Sequence, residues 1–195
     1  GNTVANVAFT GNGSSVANAV TFANDGTLIL GASGGTQTYN GGLTTTSVGS
    51  TVTLNGTITT SNDAVVLGAV TLASATTIDT NATNTDGDIT IGAVTSTNLN
   101  LTLDTTATTG SADHTFTGDI RLGSSGALSV TGDVVLGANV TVVGGGGVTF
   151  NNDINADNAA NNDRALSLSS GQSSTITVTG NVGTSQALAG LTITQ

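Results

Sequence analysis

Residues Phe116–Ile120 read Phe-Thr-Gly-Asp-Ile, and the same phrase returns as Val-Thr-Gly-Asp-Val at Val130–Val134. It comes again as Phe-Asn-Asn-Asp-Ile at Phe150–Ile154 and Val-Thr-Gly-Asn-Val at Val178–Val182. Looser versions precede it: Tyr39–Leu43, Leu54–Ile58, Leu67–Val70 and Ile91–Val94 each end a strand-like run in Gly, a variable residue and an aliphatic. Asn152 replaces Gly in one copy, and Gly and Asn are the residues that most readily take positive φ, so the element predicts a corner needing that backbone. Self-similarity of this kind is the signature of a repeat architecture.

Between the closing aliphatics Leu43, Ile58, Val70, Val94, Ile120, Val134, Ile154 and Val182 the spacings are 15, 12, 24, 26, 14, 20 and 28 residues. The longer segments hold three strand candidates and the shorter ones two, so the short ones read as part-coils or a flatter cross-section. Around the corners the chain alternates with period 2, as in Leu99–Leu103, Val140–Val142, Ala165–Leu168 and Leu191–Ile193. Aliphatics then face one side and Thr, Ser or Asn the other.

Composition agrees. Of 195 residues 7% are charged and 3% aromatic, while Pro, Cys, Met and Trp are absent. All acidic residues are Asp, and Arg121 and Arg164 are the only basic ones, so the good helix formers Glu, Lys and Met are missing. Thr and Val suit a pleated strand. A sandwich of this size would fill its core with large aromatics; four Phe and one Tyr do not suffice. A narrow coil stacking Val, Ile, Leu and Ala does. The expected fold is all-β with almost no helix: a right-handed parallel β-helix of roughly 7–9 irregular coils, one solenoid segment over 1–195. Starting at Gly1 with no signal peptide, the chain reads as a mature subunit or an interior fragment of a larger secreted protein.

A net charge of −10 leaves no basic surface for nucleic acid or an anionic membrane. No apolar run approaches the ~20 residues of a spanning helix.

The segments GDITIGAVTS (87–96), HTFTGDIRLG (114–123), VTFANDGTLILG (20–31) and the long run 161–194 resemble the repeats of filamentous-haemagglutinin-like adhesins and autotransporter passenger domains. The resemblance covers nearly the whole chain and implies a β-helix exported to the bacterial surface or outer membrane for adhesion, aggregation or biofilm. It also implies an unidentified surface receptor or glycan. Neither the family's secretion domain nor its membrane barrel is visible, which fits an interior shaft.

Few residues invite chemistry. Ser111, Asp113 and His114 crowd together, but neighbours in one turn seldom form a triad, and the expectation is a solvated turn and no enzyme. A pectin-lyase-type groove would need Arg or Lys beside its Asp cluster. Gly144–Gly147 lacks the Lys and helix of a phosphate loop and reads as a corner. Asp119, Asp133 and Asp153 hold equivalent places in three motifs; stacked on one outer face they would repel, and structural calcium would relieve them. The plain alternative is solvated carboxylates closing Asx-turns. No other cofactor is expected. Outward Thr-x-Thr rows, the device of ice-binding solenoids, look scattered here (Thr57–Thr59, Thr175–Thr177), so Thr reads as β propensity on a wetted face. Self-association end to end is expected through Val4, Val7 and Phe9 at one end and Leu188, Leu191 and Ile193 at the other, because unpaired strand edges are sticky. The leading expectation is an adhesive rod or filament shaft; a matrix or S-layer subunit cross-linked by calcium is the alternative.

Overall fold

The computed structural model describes residues 4–81, 85–106, 112–157 and 164–195. The chain is a parallel β-solenoid of about seven turns, with no helix among the described residues. The first turn is β1 (Val7–Phe9), β2 (Ser14–Val16) and β3 (Val20–Thr21); the second is β4 (Leu28–Leu30), β5 (Thr36–Tyr39) and β6 (Leu43–Thr44). In the third and fourth turns one long strand covers two faces, β7 (Val52–Thr59) then β8 (Val65–Leu67), and β9 (Val70–Asp79) then β10 (Ile89–Ile91). Next come β11 (Val94–Thr95), β12 (Leu101–Asp104) and β13 (Asp113–Phe116), then β14 (Ile120–Arg121), β15 (Ala127–Thr131) and β16 (Asp133–Leu136). The seventh turn is β17 (Val140–Gly144), β18 (Gly147–Phe150) and β19 (Ile154–Ala156), followed by β20 (Ala165–Ser170), β21 (Ile176–Val178) and β22 (Gly190–Thr194).

Every pairing is parallel and joins a strand to its counterpart one turn away, so three faces form. Side chains of one parity stack inward as columns. On the first face Val7, Leu28, Val52, Val70, Val94, Ile120, Val142, Leu168 and Ile193 are partners in succession. On the third face the column is Val20, Leu43, Val65, Ile89, His114, Val134, Ile154 and Val182. Such columns need only small aliphatics, each covered by the rung above and below. The two columns therefore account for the low aromatic content.

Register explains the irregular spacings. Val70, Val94 and Ile120 open strands of the first face, whereas Leu43, Val134, Ile154 and Val182 lie on the third and Ile58 on the second. Intervals of 24, 26, 20 and 28 residues are thus true turns, and those of 15, 12 and 14 run from one corner to another.

The corner glycines require a correction. Of the eight motif positions only Gly56 and Gly132 have positive φ, at 71° and 123°. At Gly41, Gly92, Gly118 and Gly180 the previous turn's main chain lies against the glycine: a Cβ on Gly118 would stand 2.6 Å from Ala93 N, and one on Gly180 2.3 Å from Asn152 C, whereas one on Gly68 would meet only Thr46 Cα at 3.7 Å. Contact between stacked backbones, rather than a left-handed conformation, selects the residue at these corners. Asn152 meets its corner differently, its Oδ1 accepting the Gly132 N–H at 3.1 Å.

Candidate functional site

Asp side chains and the single histidine meet where the chain turns onto the third face. The run Asp113-His-Thr-Phe116 forms β13, and strand parity sends Asp113 outward while His114 and Phe116 point inward. His114 is fully buried in the aliphatic column between Ile89 and Val134. The expected solvated turn is therefore wrong, and parity with Phe116 was the signal that gives the inward position. Ser111 lies outside the described residues. Asp113 and His114 stand on opposite sides of one strand, so they do not form a triad pair.

Nε2 of His114 lies 3.0 Å from the Thr131 carbonyl oxygen, which can only accept; Nε2 is therefore the protonated nitrogen. Thr105 Oγ1 is 3.3 Å from the same nitrogen. Nδ1 is buried with no partner among the described residues. Burial pushes the imidazole below its ordinary pKa, against smaller opposing effects of the Thr131 carbonyl and of the Asp104, Asp133 and Asp88 charges. The unfolded chain then binds a proton more readily than the folded one, so stability is full above about pH 6.5 and is lost as pH falls through the lower folded value. Melting temperature is expected to fall between about pH 7.5 and 5 in the native sequence and to lose that dependence in His114→Leu; a flat native profile would contradict this.

Outside the strand, Asp88, Asp113, Asp133, Asp153 and Asn181 follow one another turn by turn. Asp88 Oδ1 accepts the Asp113 N–H at 3.1 Å, Asp133 Oδ1 accepts that of Asp153 at 3.1 Å, and Asp153 Oδ1 accepts that of Asn181 at 2.7 Å. The carboxylates of Asp88, Asp133 and Asp153 thus tie one turn to the next instead of closing their own turns. Asp113 is pushed up, first by burial and then by repulsion from Asp133, Asp88 and Asp86. Its sign is opposite to that of His114: the charged form costs stability, which returns as pH falls through its folded value.

Asp119 does not join this column. It precedes β14 on the first face, where its Oδ1 accepts the Thr141 N–H at 2.8 Å and its Oδ2 pairs with Arg121 at 2.8 Å. Burial raises its pKa, but the Thr141 and Arg121 hydrogen bonds and the Arg121 charge outweigh that and hold it low. Arg164 forms a two-pronged pair with Asp157, at 3.0 and 2.8 Å. Of the three Asp residues singled out from sequence, the structure brings Asp133 and Asp153 together and separates Asp119. Among the described residues no group of three His, Cys, Asp or Glu side chains is placed to hold a metal ion.

The same device recurs with Asn. Oδ1 of Asn98, Asn100, Asn139 and Asn155 accepts the N–H of Ser125, Ala127, Ala165 and Ser185, each in the following turn. These residues do at the corners what the ladder does on the faces. Gly145 and Gly146 form the expected corner between β17 and β18; a Cβ on either would meet the Ser124–Ser125 main chain at 2.2–2.3 Å.

At the end turns, Val7 and Phe9 are half-buried rungs of β1, while Leu191 and Ile193 on β22 are 46% and 55% exposed. Val4 lies outside the strands and is 62% exposed; Leu188 packs half-buried against the core. Among the described residues no helix is long and apolar enough to cross a membrane. No protein-family model, curated protein or solved structure matches the chain. The class is accordingly defined by geometry alone: a three-faced parallel β-solenoid tied turn to turn by Asp and Asn.

Proposed function

We propose that this chain is a length of structural shaft in a secreted bacterial surface protein, serving adhesion, aggregation or biofilm rather than catalysis. The supporting observation is continuity: inward columns run through successive turns from one end of the ladder to the other, and outer amide captures by Asp88, Asp133 and Asp153 add ties between turns. Stability in such a stack is a sum of neighbouring-turn contacts, which lets length grow without a larger core. A shallow groove lined by Asp113, Asp133, Val135, Asn155, Asp157 and Gln186 is the main concavity near the acidic column. Ser185 also lines it, but among the described residues no histidine stands beside that hydroxyl, since His114 points away into the core.

The rungs Val7 and Phe9 at one end and Leu191 and Ile193 at the other are where a second copy or further coils add. Electron micrographs of the purified 195-residue chain are expected to show unbranched filaments at high concentration, reduced to short rods by Leu191→Lys with Ile193→Lys. Globular particles from the native chain, or filaments unaffected by both lysines, would refute end-to-end association. The calcium-cross-linked scaffold makes a different forecast, filaments that dissolve on chelation; persistence in EDTA rules it out.

A further inference from the structure

The second face carries an array that the sequence conceals. Thr36, Thr57, Thr77, Thr102, Ser129, Thr149 and Thr177 are strand partners in unbroken succession, all pointing outward. Turns of unequal length scatter them along the chain, so their alignment exists only in the register. Two residues further along each strand a second column runs Thr38, Thr59, Asp79, Asp104 and Thr131. Asn151 and Thr179 directly follow the strands that extend it. The reading of scattered Thr-x-Thr rows is thereby corrected.

The spacing is dictated by the backbone: about 4.8 Å between rungs and about 6.7 Å between columns. Over seven rungs the first column is about 29 Å long. Among the described residues none of its seven hydroxyls has a hydrogen-bond partner, which leaves them to water. In the second column Thr38 and Thr59 hydroxyls are 2.9 Å apart and share one bond. Thr is stiff at χ1, and every rung but the last, Thr177, is fixed by the ladder on both sides, so ordering water over this face costs little further conformational entropy. Both spacings are close to the oxygen repeats of the ice prism plane, so this face presents a rigid lattice of hydroxyls and methyls at ice-like intervals.

We propose that the second face binds ice through the Thr36–Thr177 column and its Thr-rich neighbour. Asp79 and Asp104 interrupt the neighbour, being charged and strongly hydrated. Their Oδ1 atoms accept the backbone N–H of Asn81 and Thr106, at 3.0 and 3.1 Å. The face is therefore an imperfect lattice that substitution can improve.

The test is the gap between melting and freezing points of a single ice crystal in a solution of the chain, together with uptake of the labelled chain into a growing ice hemisphere. The native chain is expected to open a gap and to enter the ice. Thr77→Tyr with Thr102→Tyr is expected to lose both without a change in melting temperature of the protein, because both side chains point to solvent. Thr90→Tyr, outward on the third face, is expected to retain them. Asp79→Thr with Asp104→Thr is expected to widen the gap. No gap and exclusion from ice in the native chain would overturn the proposal, as would equal loss in the second-face and third-face variants.

Discussion

Phe116→Ala is expected to lower the unfolding free energy by about 3–5 kcal/mol. Phe116 has no exposed surface and is the largest side chain of an inward column formed by Leu67, Ile91, Phe116, Leu136 and Ala156. Its ring lies 6.3 Å from that of Phe150 and 6.5 Å from that of His114, both tilted. Few neighbours can move into the space left: the rungs above and below are fixed by their ladders, and the small side chains of a narrow coil do not reach. The removed contacts and the cavity both count. Because each turn touches only its neighbours, the loss is local. Hydrogen exchange is expected to quicken around β10, β13 and β16 more than around β4 and β7. A loss below about 1 kcal/mol in denaturant melts would show that the core relaxes as a larger, rounder domain does.

Gly118→Val is expected to be at least as damaging, about 4 kcal/mol or more. The added Cβ would meet Ala93 N at 2.6 Å and Ala93 Cα at 3.0 Å, both main-chain atoms that cannot swing aside. Relief requires separating two turns next to the Val94 N–H to Asp119 carbonyl bond, 2.8 Å long. The control is Gly190→Val at the start of β22, where a Cβ meets nothing within 4 Å; it is expected to stay within about 0.5 kcal/mol of the native chain. Equal effects at the two positions would refute the claim that backbone contact selects the corner glycines.

How much of this was legible beforehand depends on distance along the chain. Period 2 acts between neighbours, so Leu101, Leu103, Val140 and Val142 declared their inward side directly. The Gly-x-aliphatic phrase declared a corner at Val70, Val94 and Ile120, but not which of three corners, since the phrase is alike at Val134 and Ile154 on another face. Asp119 therefore shares its phrase with Asp133 but not its column. His114 is hidden for another reason: a polar residue beside Asp113 reads as solvent-facing, although the parity set by Phe116 buries it. Thr columns were hidden by turn length. Thr57, Thr77 and Thr102 are separated by 20 and 25 residues, and only the ladder shows that these intervals are one turn each. Local chemistry fixes what each residue does within a rung; register, a long-range property, fixes which residues share a column.

Register is also the most direct test of the whole account. The chain has no Cys, so paired nitroxide labels can be placed at will. With one label at Thr57 and the second at Ser129, Thr149 or Thr177, dipolar distances are predicted to increase by about 4.8 Å at each step, independently of the unequal numbers of residues between them. Distances that fail to increase in that order, or that cluster near one value as across two packed sheets, would contradict the solenoid and everything built on it.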